Sequence, residues 1–157
     1  MADLDPQALE SLNMSDYQAY EDACEKIRAE NAILLTEFVA WLKASGLSEK
    51  VVKKHRTNID FYSNDYLLYE DALEARDGVD HVSWFLGDWF IRKAMWSSQA
   101  SIKENAASLK KFYAFMHEKG LVSKDDLVEL KQIVKEGMPD WLESMRDYNN
   151  AGIDDPW

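Results

Sequence analysis

Apolar residues recur along this chain at intervals of three and four, the period of an α-helix, and nowhere in strict alternation. The plainest case is the stretch 97–120, SSQASIKENAASLKKFYAFMHEKG. Ser97 and Ser98 offer an N-cap hydroxyl, Ile102, Leu109, Phe112, Phe115 and Met116 make a bulky apolar face, and Gly120 supplies the C′ position. Upstream, residues 15–45 contain neither Gly nor Pro, and Tyr17, Tyr20, Cys24, Ile27, Leu34, Phe38 and Trp41 keep helical spacing, interrupted only at Asn31. One helix over that span would be roughly 45 Å long. A bend near Glu30-Asn31 is expected, or a first half that leaves the core. Gly46 ends that helix and Ser48 caps the next, which points Val51, Val52, His55, Ile59 and Tyr62 inward.

Residues 64–78 are less regular. Tyr66, Leu67, Leu68, Tyr69 and Leu73 suit a short helical continuation, and Arg76-Asp77-Gly78 suits a turn. Asp80 then caps a helix to about Met95, with Trp84, Phe85, Trp89, Ile91 and Met95 around most of its circumference, the pattern of the most buried helix. Gly87 within it suits close approach by a neighbour. Ser123 caps a further helix carrying Leu127, Leu130, Ile133 and Val134, which Gly137 is expected to stop. Pro139 fits the first turn of a last short helix, with Trp141, Leu142, Met145 and Tyr148 on one face. Residues 1–14 read as a weakly ordered arm anchored by Leu9 and Leu12, and the tail NNAGIDDPW reads as loop. The expected fold class is all-α: a four-helix core of two crossed helical hairpins with additional N- and C-terminal helices. The expected units are an acidic arm and helix (1–30), a helical domain (31–122) and a C-terminal helical extension (123–157).

Length and composition sharpen this. The 157 residues include 6 Trp, 7 Tyr and 6 Phe, ample for one apolar core. The single Cys24 excludes an internal disulfide or a thiolate zinc cage. An acidic start and the lack of an 18-residue apolar run point to a cytoplasmic protein with no membrane partner. The net charge of −11 is uneven. Residues 1–42 hold two cations against nine acids, residues 43–119 twelve against eleven, and residues 120–157 four against nine. The acidity belongs to the two ends, which solubilise the chain or shield a basic surface on its middle. Lys50, Lys53, Lys54 and Arg56 crowd the first two turns of their helix, where cations oppose the helix dipole. That placement suits an anionic partner.

Catalytic patterns are missing. No glutamate has a histidine three residues later, as a di-iron carboxylate bundle would need. His55, His81 and His117 fall on three elements, and no phosphate loop or nucleophile elbow is present. Cys24 and His55 read as structural, Trp84, Trp89, Phe112 and Phe115 as core. Trp96 and Tyr113 are less easily placed inside and are candidates for a ligand or partner surface.

Residues from about Leu34 to Val122 resemble the N-terminal core-binding domain of tyrosine recombinases and phage integrases, the SAM-like integrase domain. The likeness rests on LLTEFVAWLKASGLSEKVVKKHRTNIDFY and SLKKFYAFMHEKGLV, with Gly46-Leu47-Ser48, Phe61, Phe112-Tyr113 and Gly120-Leu121-Val122 at the family's marked positions. The resemblance implies a second and a fourth helix that face DNA, here through Lys50, Lys53, Lys54 and Arg56, then Lys103, Asn105, Ser108, Lys110 and Lys111. The family usually has Thr at Val51 and Tyr at His55, and an Asn-Pro linker where Ser123-Lys124-Asp125 opens a helix. The family's tyrosine nucleophile set has no counterpart, so strand cleavage is not expected. The expectation is a non-catalytic DNA-binding helical domain with no cofactor and no metal. The alternative is a protein-interaction or oligomerisation module that kept the fold, working through its acidic N-terminal helix and its Trp141–Tyr148 face.

Overall fold

The computed structural model describes residues 6–154, with side chains for residues 14–151. These residues form helices and their connections, and none of them is in a β-strand. In order they are α1 (Pro6–Ala44), α2 (Glu49–Asp60), a π-helical turn (Phe61–Tyr66), two 3-10 turns (Ala75–Asp77 and Val79–His81), α3 (Val82–Trp84), a second π-helical turn (Phe85–Trp89), α4 (Phe90–Lys93), α5 (Gln99–Glu118) and α6 (Lys124–Asp154). The fold is all-α, as the periodicity requires.

Local signals place most helix ends. The Ser48 side chain accepts from the Val51 N–H at 3.3 Å, and Ser98 and Ser101 close a reciprocal capping box at the start of α5. Ser123 and Asp126 do the same for α6, their side chains accepting from each other's backbone N–H at 3.0 and 3.3 Å. Gly46 and Gly120 end α1 and α5 at φ +91° and +77°, a conformation that a Cβ would strain.

Four expectations are corrected. First, α1 does not bend at Asn31 but runs unbroken over 39 residues, about 58 Å. Asn31 is buried on the inward stripe of Cys24, Ile27, Leu35, Phe38 and Leu42, and its amide donates to Asn64 Oδ1 at 2.8 Å. The polar residue therefore continues the apolar stripe instead of breaking it. The helix also begins at Pro6, inside the expected arm, whose Leu9 and Leu12 side chains lie outside the described residues. Second, Gly137 does not stop a helix and Pro139 does not start one, because both lie inside the 31-residue α6. Gly137 instead gives room to Trp141: an added Cβ would collide with the indole ring. Gly87 meets the same ring, with Cδ1 2.7 Å from where its Cβ would stand. Third, α6 extends through Asp154, so the expected loop-like tail is helical to that residue. Fourth, Trp84 is 60% exposed and Met95 99% exposed. Val82, Phe85, Leu86, Trp89 and Phe90 form the inward stripe, Trp84 lies across the helix from it, and Met95 stands beyond the end of α4.

The helix buried on the most sides is α5, between α2 and α6. Ile102, Ala106, Leu109, Phe112, Tyr113, Phe115 and Met116 all join the main apolar cluster. Tyr113, a candidate for the surface, is fully buried; its hydroxyl donates to the Ala75 carbonyl at 2.8 Å and lies 2.8 Å from the Tyr62 hydroxyl. Leu130, Val134, Trp141 and Met145 of α6 enter the same cluster, so the proposed Trp141–Tyr148 interaction face is largely spent inside the molecule. Cys24, Ile27 and Leu68 make a small satellite cluster that holds the middle of α1 to the connection after α2.

Candidate nucleic-acid interface

The candidate site is the seam between α2 and α5. On α2 the inward residues Val52, His55 and Ile59 fix the helix orientation. That turns Lys50, Lys53, Lys54 and Thr57 outward along one stripe, at helical spacing. On α5 the stripe Glu104, Ser108 and Lys111 faces α2, and the exposed Lys103 and Lys110, one position before, point about 100° further round the helix. A shallow groove of about 540 Å³ runs along the seam, lined by Lys50, Lys53, Lys54, Asn58, Trp96 and Glu104.

A polar network locks the seam. Asn58 Nδ2 donates to Glu104 Oε2 and to Ser108 Oγ, both at 3.0 Å. His55 Nδ1 lies 2.7 Å from Ser108 Oγ, and Lys54 pairs with Glu104 at 3.0 Å. Burial lowers the His55 pKa below its ordinary value near 6.5, the positive charges of Lys111 and Lys54 add to this, and Glu104 opposes them. Burial favours the neutral form of Glu104, but its bonds to Asn58 and Lys54 outweigh burial and hold its pKa below the ordinary carboxylate value. The seam therefore holds a buried imidazole whose neutral form is favoured, one neutralised carboxylate and a set of lysines. Among the described residues, Lys50, Lys53, Lys103, Lys110 and Lys111 have no carboxylate within ion-pair distance.

Lys50, Lys53 and Lys54 line the groove and the half-buried Lys111 lies near His55, whereas Lys103 and Lys110 are exposed off the groove, on the flank of α5 that also carries Gln99. Arg56 is exposed but lies on the far flank of α2, off the groove-lining stripe. Asn105 and Ser108 are corrections: they are 2% and 0% exposed. Asn105 donates to the Ser101 carbonyl at 2.8 Å, and Ser108 is a member of the seam network. Neither can reach a phosphate, because α5 is buried on the side they occupy. Sequence reasoning missed Asn58 and Glu104 as parts of the site. Their only signal is the spacing of four residues that puts Asn58 behind Lys54 and Glu104 before Ser108.

Among the described residues no group of three or more His, Cys, Asp or Glu side chains is placed to hold a metal ion. No described helix is long and apolar enough to cross a membrane. No protein family, curated protein or solved structure matches this chain.

Proposed function

We propose that the chain is a non-catalytic DNA-binding helical domain of the recombinase core-binding kind, which docks its α2–α5 seam on the phosphate backbone. The observation that carries this reading is the distribution of charge over the fold. Helix α2 holds four cations and two acids, and α5 three and two. By contrast α1 holds three cations against seven acids, residues 61–98 three against seven, and α6 four against eight. The two net-positive helices pack side by side, and the groove between them is lined by lysines. Phosphate contacts from such a face give affinity that falls with salt and depends little on sequence. Trp96, 56% exposed at the groove, offers an indole face to the sugar–phosphate edge.

The test is fluorescence anisotropy with a labelled duplex from low to physiological salt. A linear loss of log affinity with log salt is expected, with a slope of about 0.9 per phosphate contacted. The variant Lys50→Glu, Lys53→Glu, Lys103→Glu, Lys110→Glu is expected to abolish binding while keeping the wild-type helical circular dichroism. It spares Lys54, which holds Glu104. No binding at low salt, or wild-type affinity in the folded variant, sinks the reading.

A second reading, self-association, has one observation of its own. Residues 14–19 of α1 are all exposed, with Met14 at 72% and Tyr17 at 64%. This end of α1 lies against nothing among the described residues. Sedimentation velocity of the wild type and of Tyr17→Glu decides it: a dimer that the variant breaks supports a second copy on α1, and a monomer throughout removes it.

A further inference from the structure

A second concavity lies away from the basic seam, among residues 61–93. It measures about 130 Å³, room for a few water molecules or one small head group. Tyr66, Tyr69, Trp84 and Trp89 line it, with Glu70 and Asp71. The Trp89 ring centroid is 5.2 Å from that of Tyr66 and 5.6 Å from that of Tyr69, at interplanar angles of 60° and 69°. The three rings thus form a corner and not a stack. Trp84 and Tyr69 are 60% and 53% exposed, an unusual outlay of aromatic surface.

Two further observations converge on this pocket. Both π-helical turns end at it, one with Tyr66 and the other with Trp89. Such turns give up regular helix geometry and recur at functional sites. The Trp89 indole N–H is buried and has no acceptor among the described residues. That donor is sealed from solvent, so it lies behind the pocket wall and not in its opening. The local charge is also negative: Asp88 is paired with Arg92 at 2.6 Å, while Glu70 and Asp71 have no cation at ion-pair distance among the described residues. Burial, aided by the charges of Glu70 and Asp88, pushes the Tyr66 pKa up to about 12. One ring already holds a cation, since Lys93 Nζ lies 5.3 Å from the centroid of Tyr69.

We propose that this pocket binds a small alkylammonium group, with aromatic faces against the cation and Glu70 and Asp71 balancing its charge. Aromatic faces attract a poorly hydrated cation through their quadrupoles, and quaternary ammonium groups suit them because their charge is spread over methyls. The pocket admits the head group and leaves the rest of the ligand outside, so a choline-like end on a larger molecule fits as well as a free one.

The experiment titrates the full chain with choline chloride by calorimetry, at constant ionic strength, beside the uncharged isostere 3,3-dimethylbutan-1-ol. Choline is expected to bind about tenfold or more tighter than the isostere, the scale of a desolvated cation–π contact. Trp84→Ala and the double variant Glu70→Gln, Asp71→Asn are each expected to weaken choline by about fivefold or more. All three positions are exposed, so the variants should melt with the wild type. No choline binding, equal binding of the isostere, or unchanged choline affinity in both folded variants overturns the proposal.

Discussion

The α2–α5 seam and the 61–93 segment are built from opposite materials. In the seam two regular helices meet across buried polar groups: His55, Ser108 and Asn58 are satisfied by one another, and the lysines project outward. In the 61–93 segment the helix is broken by π and 3-10 turns, and aromatic side chains hold the pieces. Phe61, Tyr62, Tyr66, Phe85, Trp89 and Phe90 form a continuous run of ring contacts. Backbone order in the seam comes from the helix ladder. In the segment it comes from tyrosine hydroxyls that reach loop carbonyls: Tyr62 to Gly78 at 2.8 Å, Tyr66 to His81 at 2.9 Å and Tyr113 to Ala75 at 2.8 Å. A regular helix pair can thus carry surface charge cheaply, whereas an irregular segment needs large rings to satisfy its backbone and close its core.

The largest break in this arrangement is expected at Trp141. Helix α6 touches both α5 and the second π-helical turn, and Trp141 sits between Gly87 and Gly137. Trp141→Ala empties a site that is 4% exposed. It should cost about 3–5 kcal/mol, read as a lowered urea midpoint. Gly87→Ala drives a Cβ into the same indole and should cost about 1–3 kcal/mol by overpacking, despite the better helix propensity of alanine. A Trp141→Ala variant as stable as the wild type would mean that α6 is not the clamp between the two regions.

Tyr113→Phe probes the tyrosine supports alone. The ring keeps its place in the core, and the hydroxyl's bond to the Ala75 carbonyl and its contact with the Tyr62 hydroxyl are lost, while Tyr62 keeps its bond to the Gly78 carbonyl. That carbonyl keeps its bond from the Gly78 N–H at 3.1 Å. The expected cost is about 1–2 kcal/mol, the worth of one or two buried hydrogen bonds. Faster amide exchange over residues 75–81, with α1 and α2 unaffected, is the result that separates the two regions. A uniform change across the chain would show that the segment is not held locally.

What was legible in the sequence follows the same divide. Ser48, Ser98, Ser123, Gly46 and Gly120 declare helix ends because capping is settled within three or four residues. Gly137 and Pro139 speak with the same local voice and mislead. A proline inside a helix costs about 3 kcal/mol, but carrying Trp141 and Met145 into the core on one continuous helix outweighs it. Asn31 and Ser108 look like surface residues until the partner that satisfies each is known, and those partners are set by tertiary packing; Asn105 is satisfied within its own helix, and only the packing of α5 buries it. The crowding of cations on α2 was legible in the sequence, but not that Lys50, Lys53 and Lys54 share a stripe that leaves Arg56 on the far flank. The aromatic pocket was not, because its corner depends on two π-helical turns that have no sequence signature.

A smaller effect, confined to the seam, is expected from pH. The His55 pKa is lowered in the folded state, so folding favours the neutral imidazole. Its contribution is fully present above the unfolded value near 6.5 and is lost as pH falls from there through the lowered folded value. The stability difference between the wild type and His55→Gln should therefore shrink steadily from pH 7.5 to pH 5. Carboxylates elsewhere titrate in both proteins and cancel in the difference. A difference that is flat with pH would remove His55 as the titrating member of the seam.

The finest test concerns Lys54, the groove lysine that is paired. Lys54→Gln should change stability by only about 0.2–1 kcal/mol, since its ion pair with Glu104 is half exposed. Its effect on duplex affinity should exceed that of Lys53→Gln, although each removes one charge. The reason is Glu104: without Lys54 its carboxylate faces the groove and repels phosphate, whereas Lys53 neutralises no acid. The double variant Lys54→Gln, Glu104→Gln should then recover to at least the affinity of Lys53→Gln, with both measured at one low salt concentration. Recovery would make Lys54 chiefly a shield for Glu104 and Lys53 a phosphate contact. A double variant no better than Lys54→Gln alone would mean that the carboxylate stays turned into the Asn58 bond, and that Lys54 meets the duplex directly.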